Sequence, residues 1–140
     1  MPAPRIPRQA LGVSLAPKNP DAEAPEHLAL IRRLHCCVCG APPPVDPHHL
    51  LRIRDAQGNR VIKGTGRTND DKHAIPLCRL KCHNGDRNSL HASLSRGIDE
   101  EEWLAARGIQ GRELAKALWA ATPDFEAMFR IVFRARQVGR

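Results

Sequence analysis

With 140 residues, the chain has the length of one domain with additional arms, and its core can be only of modest size. Aromatic residues make up 4% of the sequence and tyrosine is absent, so the fold needs a source of stability other than aromatic packing. The formal net charge of +7 favours a polyanionic partner, because each phosphate that a basic protein neutralises releases counterions. No apolar run is long enough to cross a membrane, which excludes a membrane span in this sequence.

Residues 1–25 are rich in proline and basic side chains and contribute little to a core. We therefore expect a flexible basic arm, with an ordered strap over the domain as the alternative. The segment has no apolar stretch of the secretory kind, so we expect a cytoplasmic location. In that reducing compartment, cysteines bind metals more often than they form disulfides.

Two short strands are predicted in the middle of the chain. Residues 26–34 favour one or two helical turns, and a cysteine-rich turn follows them. Residues 48–53 and 73–77 have the pattern of strands, with Gly, Asn and Asp residues over 55–71 indicating a loop between them. A helical or mixed segment is expected over residues 78–91.

The C-terminal third is predicted to be helical. Acidic residues crowd 99–102, as is favourable at a helix N-terminus, where the helix dipole stabilises negative charge. A second helix is expected over Gly111–Ala121, where Leu114 and Leu118 share a face, and a third over residues 123–136.

The cysteines form two tight groups that are typical of a zinc site. Two residues separate Cys36 from Cys39, and three separate Cys78 from Cys82. Tetrahedral thiolate sites are built from such pairs. Cys37 is the extra cysteine. We favour Cys36 as the ligand because the spacing from Cys37 to Cys39 is too short for the usual metal-binding turn, with buried reduced cysteines as the alternative.

Adjacent histidines, His48 and His49, lie on the first predicted strand, between the two cysteine pairs. Because strand side chains alternate between faces, one imidazole can bind a metal while the other faces a substrate. A neutral imidazole is also a suitable base near pH 7.

Together these motifs resemble the HNH (ββα-metal) endonucleases, and most closely the phage and prophage branch that includes the recombination-enhancement nucleases. The similarity covers about residues 36–119 and is carried by these residues: Cys36, Cys39, Gly40, Asp46, Pro47, His48, His49, Leu50, Gly64, Thr65, Gly66, Asp71, Ile75, Pro76, Leu77, Cys78, Cys82, His83, Leu90, His91, Gly97, Ile98, Asp99, Trp103, Leu104, Leu118 and Trp119. It implies an α+β fold with a small ββα-metal core and a structural zinc site over residues 26–98. A C-terminal helical extension over 99–140 and the arm over 1–25 flank this core.

The resemblance also implies roles for individual residues. His48 would bind the catalytic metal, His49 would be the general base, and Asp71 would orient that base or support the site. His83 would be a second metal ligand. His91 lies eight residues later, about 12 Å along a continuous helix, so it can bind the same ion only if the segment breaks at Asn84-Gly85.

DNA is the expected partner, and the basic residues near the site are candidates for phosphate contacts: Arg52, Arg54, Lys63 and Arg67. We expect Arg52 and Arg54 to share one strand face. No recognition helix is evident, so we expect weak sequence specificity.

The sequence thus predicts a DNA endonuclease with a structural Zn²⁺ and a catalytic Mg²⁺ or other divalent ion, linked to recombination or repair. A recombinase filament is a further candidate partner. The alternative is a non-catalytic, zinc-ribbon-like module that binds nucleic acid or a recombination protein, and either duplex, branched or single-stranded DNA could be the substrate.

Overall fold

The computed structural model of the chain describes residues 23–51, 53, 57, 59 and 70–138. The predicted N-terminal arm lies outside these residues except for its last three positions. The candidate phosphate-binding residues Arg52, Arg54, Lys63 and Arg67 lie outside them as well.

The described residues form a two-stranded sheet with five helices, so the predicted α+β class is confirmed. The elements are α1 (Pro25–Ile31), β1 (Asp46–His49), β2 (Ala74–Leu77), α2 (Leu90–Ser95), α3 (Glu100–Ala105), α4 (Gly111–Ala121) and α5 (Phe125–Val138). A 3-10 turn over Asp71–His73 leads into β2, and a π-helical turn over Arg79–His83 follows it.

The two strands pair antiparallel, with His48 opposite Ile75 and His49 opposite Ala74. The prediction of a first strand over residues 48–53 is wrong, because β1 begins at Asp46 and ends at His49. The partner strand, β2, starts only after the 3-10 turn. One hydrogen bond lies next to the end of the strand pairing, from the Leu50 amide to the His73 carbonyl at 2.9 Å. The expectation that Arg52 and Arg54 share a strand face concerns residues outside the described part of the chain.

The helices begin where side chains or proline satisfy their first turns. Pro25 occupies the first turn of α1, where its missing N–H is harmless. Asp99 caps α3 by accepting a hydrogen bond from the Glu101 amide at 3.0 Å. The helix over Gly111–Ala121 is confirmed, whereas α5 starts later than predicted because Asp124 accepts from the Ala127 amide.

One hydrophobic cluster joins the sheet, α4 and α5: β2 packs against α4, and α4 packs against α5. Its fully buried members include Ile75 and Leu77 from β2, Leu118 from α4 and Met128 from α5. The cluster therefore contains residues on both sides of position 98, the predicted boundary between core and extension, and that boundary stays a prediction. Among the described residues, no helix is both long and apolar enough to cross a membrane.

A buried histidine joins α1 to the end of α4. His27 is 1% exposed, and its Nδ1 lies 2.6 Å from the Thr122 hydroxyl. Burial lowers the pKa of His27 from its ordinary value of 6.5, although the negative charge of Asp71 opposes this shift. The folded protein therefore holds a neutral imidazole at this position near neutral pH.

This depressed pKa predicts a loss of stability in acid. Below pH 6.5 the unfolded chain protonates His27 before the folded chain does, so the free energy of unfolding falls as the pH falls towards the folded-state pKa. The contribution is at most about 1.4 kcal/mol per pH unit. Denaturant unfolding of the wild type and His27→Gln across this range tests it, and parallel pH profiles for the two proteins would contradict it.

Candidate functional site

Two segments far apart in the sequence bring four cysteine sulfurs together. Cys36 and Cys39 lie in the turn after α1, where Gly40 adopts a positive φ of 79°. Cys78 directly follows β2, and Cys82 lies in the π-helical turn. The four Sγ atoms all lie within 4.8 Å of one another. The cluster could hold a metal ion and is consistent with a structural zinc, whose Zn–S bonds are about 2.3 Å long.

Backbone amides and a thiol donate hydrogen bonds to sulfurs of the cluster. The Cys39 amide donates to Cys36 Sγ at 3.5 Å, and the Cys82 amide donates to Cys78 Sγ at 3.3 Å. A hydrogen bond from the Cys82 thiol lowers the pKa of Cys36 to about 4, against the effect of burial, and raises the pKa of Cys82. All four sulfurs can be ionised together only when a cation replaces their protons.

Cys37 lies outside this cluster, so the geometry agrees with the choice of Cys36 made from the spacing. Its side chain is completely buried, and its amide donates to the Pro76 carbonyl at 3.0 Å. Burial raises the pKa of Cys37 well above its ordinary value, which keeps the group a neutral thiol.

Three imidazoles form a second cluster beside the first. His48 lies on β1, His83 ends the π-helical turn and His91 lies in the first turn of α2. The His83 Nε2 atom is 3.3 Å from His48 Nδ1 and 3.1 Å from His91 Nε2. One ion bound at about 2.1 Å by each nitrogen would place the nitrogens roughly 3.0–3.4 Å apart in octahedral or tetrahedral geometry. The spacing of the nitrogens therefore fits a single metal ion.

The helical backbone is interrupted between His83 and His91, which lets both side chains reach one point. Asn84 is extended and Gly85 has a φ of +91°, in the left-handed region that glycine adopts without strain. The next helix begins only at Leu90, capped by the Ser89 hydroxyl. The spacing of His83 and His91 required an interruption of the helix at Asn84-Gly85 if both are to bind one ion, and the structure has this interruption.

Two carboxylates determine which ring nitrogens face the centre of the cluster. His48 Nε2 lies 2.8 Å from Glu100 Oε2, and His83 Nδ1 lies 3.0 Å from Asp46 Oδ2. A carboxylate accepts hydrogen bonds, so these nitrogens carry the protons. His48 Nδ1 and His83 Nε2 then present lone pairs to each other at 3.3 Å. A cation between them would turn this repulsion into attraction, as in the carboxylate–histidine–metal arrangement of known metal sites.

Burial favours the neutral forms of His83 and His91, and hydrogen bonds favour the charged form of Asp46. Burial lowers the pKa of His83, against the effect of Asp46, and lowers the pKa of His91, with the charge of His83 adding to the effect. Burial alone would raise the pKa of Asp46, but hydrogen bonds from Arg79 and His83 lower it on balance. Neutral imidazoles and an ionised carboxylate are the states that metal binding requires.

The predicted base and its predicted partner are also in contact. His49 Nε2 lies 2.7 Å from Asp71 Oδ1, and Asp71 Oδ2 accepts a hydrogen bond from the Ala24 amide at 2.7 Å. Because the carboxylate accepts the Nε2 proton, Nδ1 is the basic nitrogen of the His49 ring. The ring is partly exposed, at 21%, so water can reach it.

Sequence reasoning missed two members of the site. Glu100 was expected to stabilise a helix N-terminus; instead it is 1% exposed and accepts hydrogen bonds from His48 and from the Leu51 amide. Nothing in the local pattern indicates this contact, which spans 52 residues. Asp46 could have been found, because residues two apart on a strand share a face and Asp46 precedes His48 by two.

The remaining histidines lie outside both metal clusters, as expected for His27 and His35. His35 packs edge to face against Phe129, with 5.5 Å between the ring centres. His73 lies in the 3-10 turn and lines a separate cleft.

Comparisons of this chain with models of protein families, with curated proteins and with solved structures found no match.

Measurement of zinc content distinguishes the cysteines of the cluster from Cys37. We expect one zinc per chain in elemental analysis of the wild type, and loss of that zinc in Cys36→Ser and Cys82→Ser. A chelator should unfold the wild type, because the cluster ties the turn after α1 to the turn after β2. Cys37→Ala is the matched control and should keep its zinc; its loss there would contradict the assignment.

Glu100→Gln tests the role of the buried carboxylate. An amide is uncharged and has one acceptor oxygen, and its NH2 group is a donor that would face the donors at this position. Gln therefore holds the His48 Nε2 proton and the ring orientation more weakly than the carboxylate does. We expect roughly 10- to 100-fold weaker binding of Co²⁺ or Mn²⁺ to the zinc-loaded protein, measured by calorimetry. Glu102→Gln, an exposed change in the same helix, is the control and should bind like the wild type. Equal affinities for all three proteins would contradict the assignment.

Proposed function

We propose that this chain is a metal-dependent DNA endonuclease of the HNH (ββα-metal) class, with low sequence specificity. The observation that supports this most directly is the convergence of the His48, His83 and His91 nitrogens beside the His49–Asp71 pair. Two antiparallel strands followed by a helix carry these histidines, in the order that the class name describes. A zinc-binding module without catalysis has no need for this second cluster.

The residues fit a catalytic ion. His48 Nδ1, His83 Nε2 and His91 Nε2 would hold it, with Glu100 and Asp46 behind two of the three rings. Imidazole suits first-row transition metals, whereas Mg²⁺ prefers oxygen ligands. The donor set therefore favours a transition-metal ion over the Mg²⁺ that was the first expectation.

The proposed reaction is hydrolysis of a phosphodiester to leave a 5′-phosphate end. A bound cation would supply polarisation of the phosphate and stabilisation of the departing oxygen. His49 Nδ1 would remove the proton from the attacking water, while Asp71 holds the opposite side of the ring. This division of work uses two adjacent residues of β1 on opposite faces of the strand.

The charge of the chain is consistent with a DNA substrate. Its net charge is +7, and phosphate contacts strengthen binding without reading sequence. Contacts by Arg52, Arg54, Lys63 and Arg67, a role in phage recombination or repair, and a recombinase partner for the arm remain proposals that depend on the family resemblance.

A nicking assay on supercoiled plasmid tests the proposal. With Mn²⁺, Co²⁺ or Mg²⁺ added to zinc-loaded protein, we expect nicking by the wild type and a loss of at least about 100-fold in His49→Ala, because the general base is absent. His83→Ala should lose both nicking and binding of the second metal.

The matched control is His35→Gln, which changes a histidine outside both clusters and should nick like the wild type. Equal nicking by wild type and His49→Ala would point to a contaminant. Retained DNA binding without nicking under any of these metals would favour the zinc-ribbon-like module.

A further inference from the structure

A second feature lies next to the proposed catalytic residues. A cleft of about 230 Å³ separates the 3-10 turn Asp71–His73 from the outer face of α4. Arg112, Lys116 and Trp119 line it from the helix, at positions i, i+4 and i+7, which share one helical face. Lys72 lines it from the turn.

Trp119 is held with much of its surface open to solvent. It is 42% exposed, whereas the other tryptophan, Trp103, is 3% exposed and donates to a backbone carbonyl. The buried His27 ring packs edge to face on the indole, with 5.0 Å between the ring centres and 86° between the planes. Thr122 hydrogen-bonds His27, so the ring that packs against the indole is itself held in place.

The charge around the indole suits a polyanion. Lys72 and Lys116 are exposed, and neither forms an ion pair within the described part of the chain. The Arg112 Nε atom lies 3.6 Å from Glu101 Oε1, and the Arg112 side chain is 46% exposed. Among the described residues that line the cleft, Glu113 is the acidic one, against three cationic side chains.

The cleft and the proposed base share one short turn. Asp71, which binds His49, is followed directly by Lys72, and consecutive Cα atoms are about 3.8 Å apart. Lys72 of the cleft is therefore next in sequence to the residue that contacts the proposed base, and the same 3-10 turn carries both.

We infer that this cleft binds an unpaired base of single-stranded DNA against Trp119, with Lys72 and Lys116 on the neighbouring phosphates. An aromatic side chain can stack on a base only when the face of that base is free, and in a duplex the neighbouring pairs cover it. The inference rests on the proposed nuclease function and names its substrate as single-stranded segments or branch points.

Binding is measured first, on zinc-loaded protein without a second metal, so that the strand is not cut. Single-stranded oligo-dT should quench the emission of Trp119 and bind more tightly than a duplex of equal length. In anisotropy titrations with labelled oligonucleotide, Trp119→Leu should bind single strands about tenfold more weakly, whereas its affinity for duplex changes little. Phe133→Leu, at an exposed aromatic of α5, is the matched control and should bind like the wild type.

The lysines give a second measurement that does not depend on the indole. Lys72→Ala and Lys116→Ala should each reduce the dependence of log affinity on log salt by about 0.7 for single strands. Unchanged single-strand affinity in Trp119→Leu, or equal weakening of single strands and duplex, would overturn the inference. So would the absence of single-strand binding by the wild type.

Cleavage separates this inference from the nuclease proposal. With Mn²⁺ or Co²⁺, Trp119→Leu should lose its preference for single-stranded or flapped substrates through a higher KM, while duplex nicking persists. Nicking that ignores strand structure in both proteins would overturn the inference and leave the nuclease standing. If the protein shows the stacking and salt effects but cleaves no DNA, the assignment of the cleft is supported and the nuclease proposal is contradicted.

Discussion

The hydrogen bonds from two imidazoles to two carboxylates are the constraint on which the proposed active site depends. Glu100 and Asp46 each accept a hydrogen bond from a ring N–H, and this leaves the other nitrogens of His48 and His83 to present lone pairs to one point. Without a cation, that arrangement is repulsive. The fold nevertheless holds it, because the rings lie on backbone that strand pairing and a buried carboxylate keep in place.

The cysteine cluster extends this constraint to the backbone. Cys82 and His83 are consecutive, so the turn that completes the thiolate cluster also places a ring of the histidine cluster. A metal ion held by the sulfurs would therefore also order the imidazoles, because it would fix the same turn. A chain with so few aromatic side chains gains from such a cross-link, because its hydrophobic core is small.

The C-terminal helices belong to the site as well as to the core. Glu100, at the start of α3, accepts hydrogen bonds from the His48 ring and from the Leu51 amide just after β1. One side chain thus contacts both the ring and the backbone that follows the strand. Helix α4 places Trp119 and its neighbouring cations beside the turn that holds Asp71. The surface proposed to receive DNA thus combines β1, the 3-10 turn before β2 and helix α4.

The sequence by itself determined what depends on local spacing. The cysteine pairs and the apolar period of α4 are short-range patterns, and the structure places the four cysteines together and a helix over Gly111–Ala121. Tertiary structure alone decided the end of β1 at His49, the approach of His91 to His83 and the burial of Glu100. These features depend on strand register, on a broken helix and on a contact across 52 residues, and none of them leaves a periodic mark in the chain.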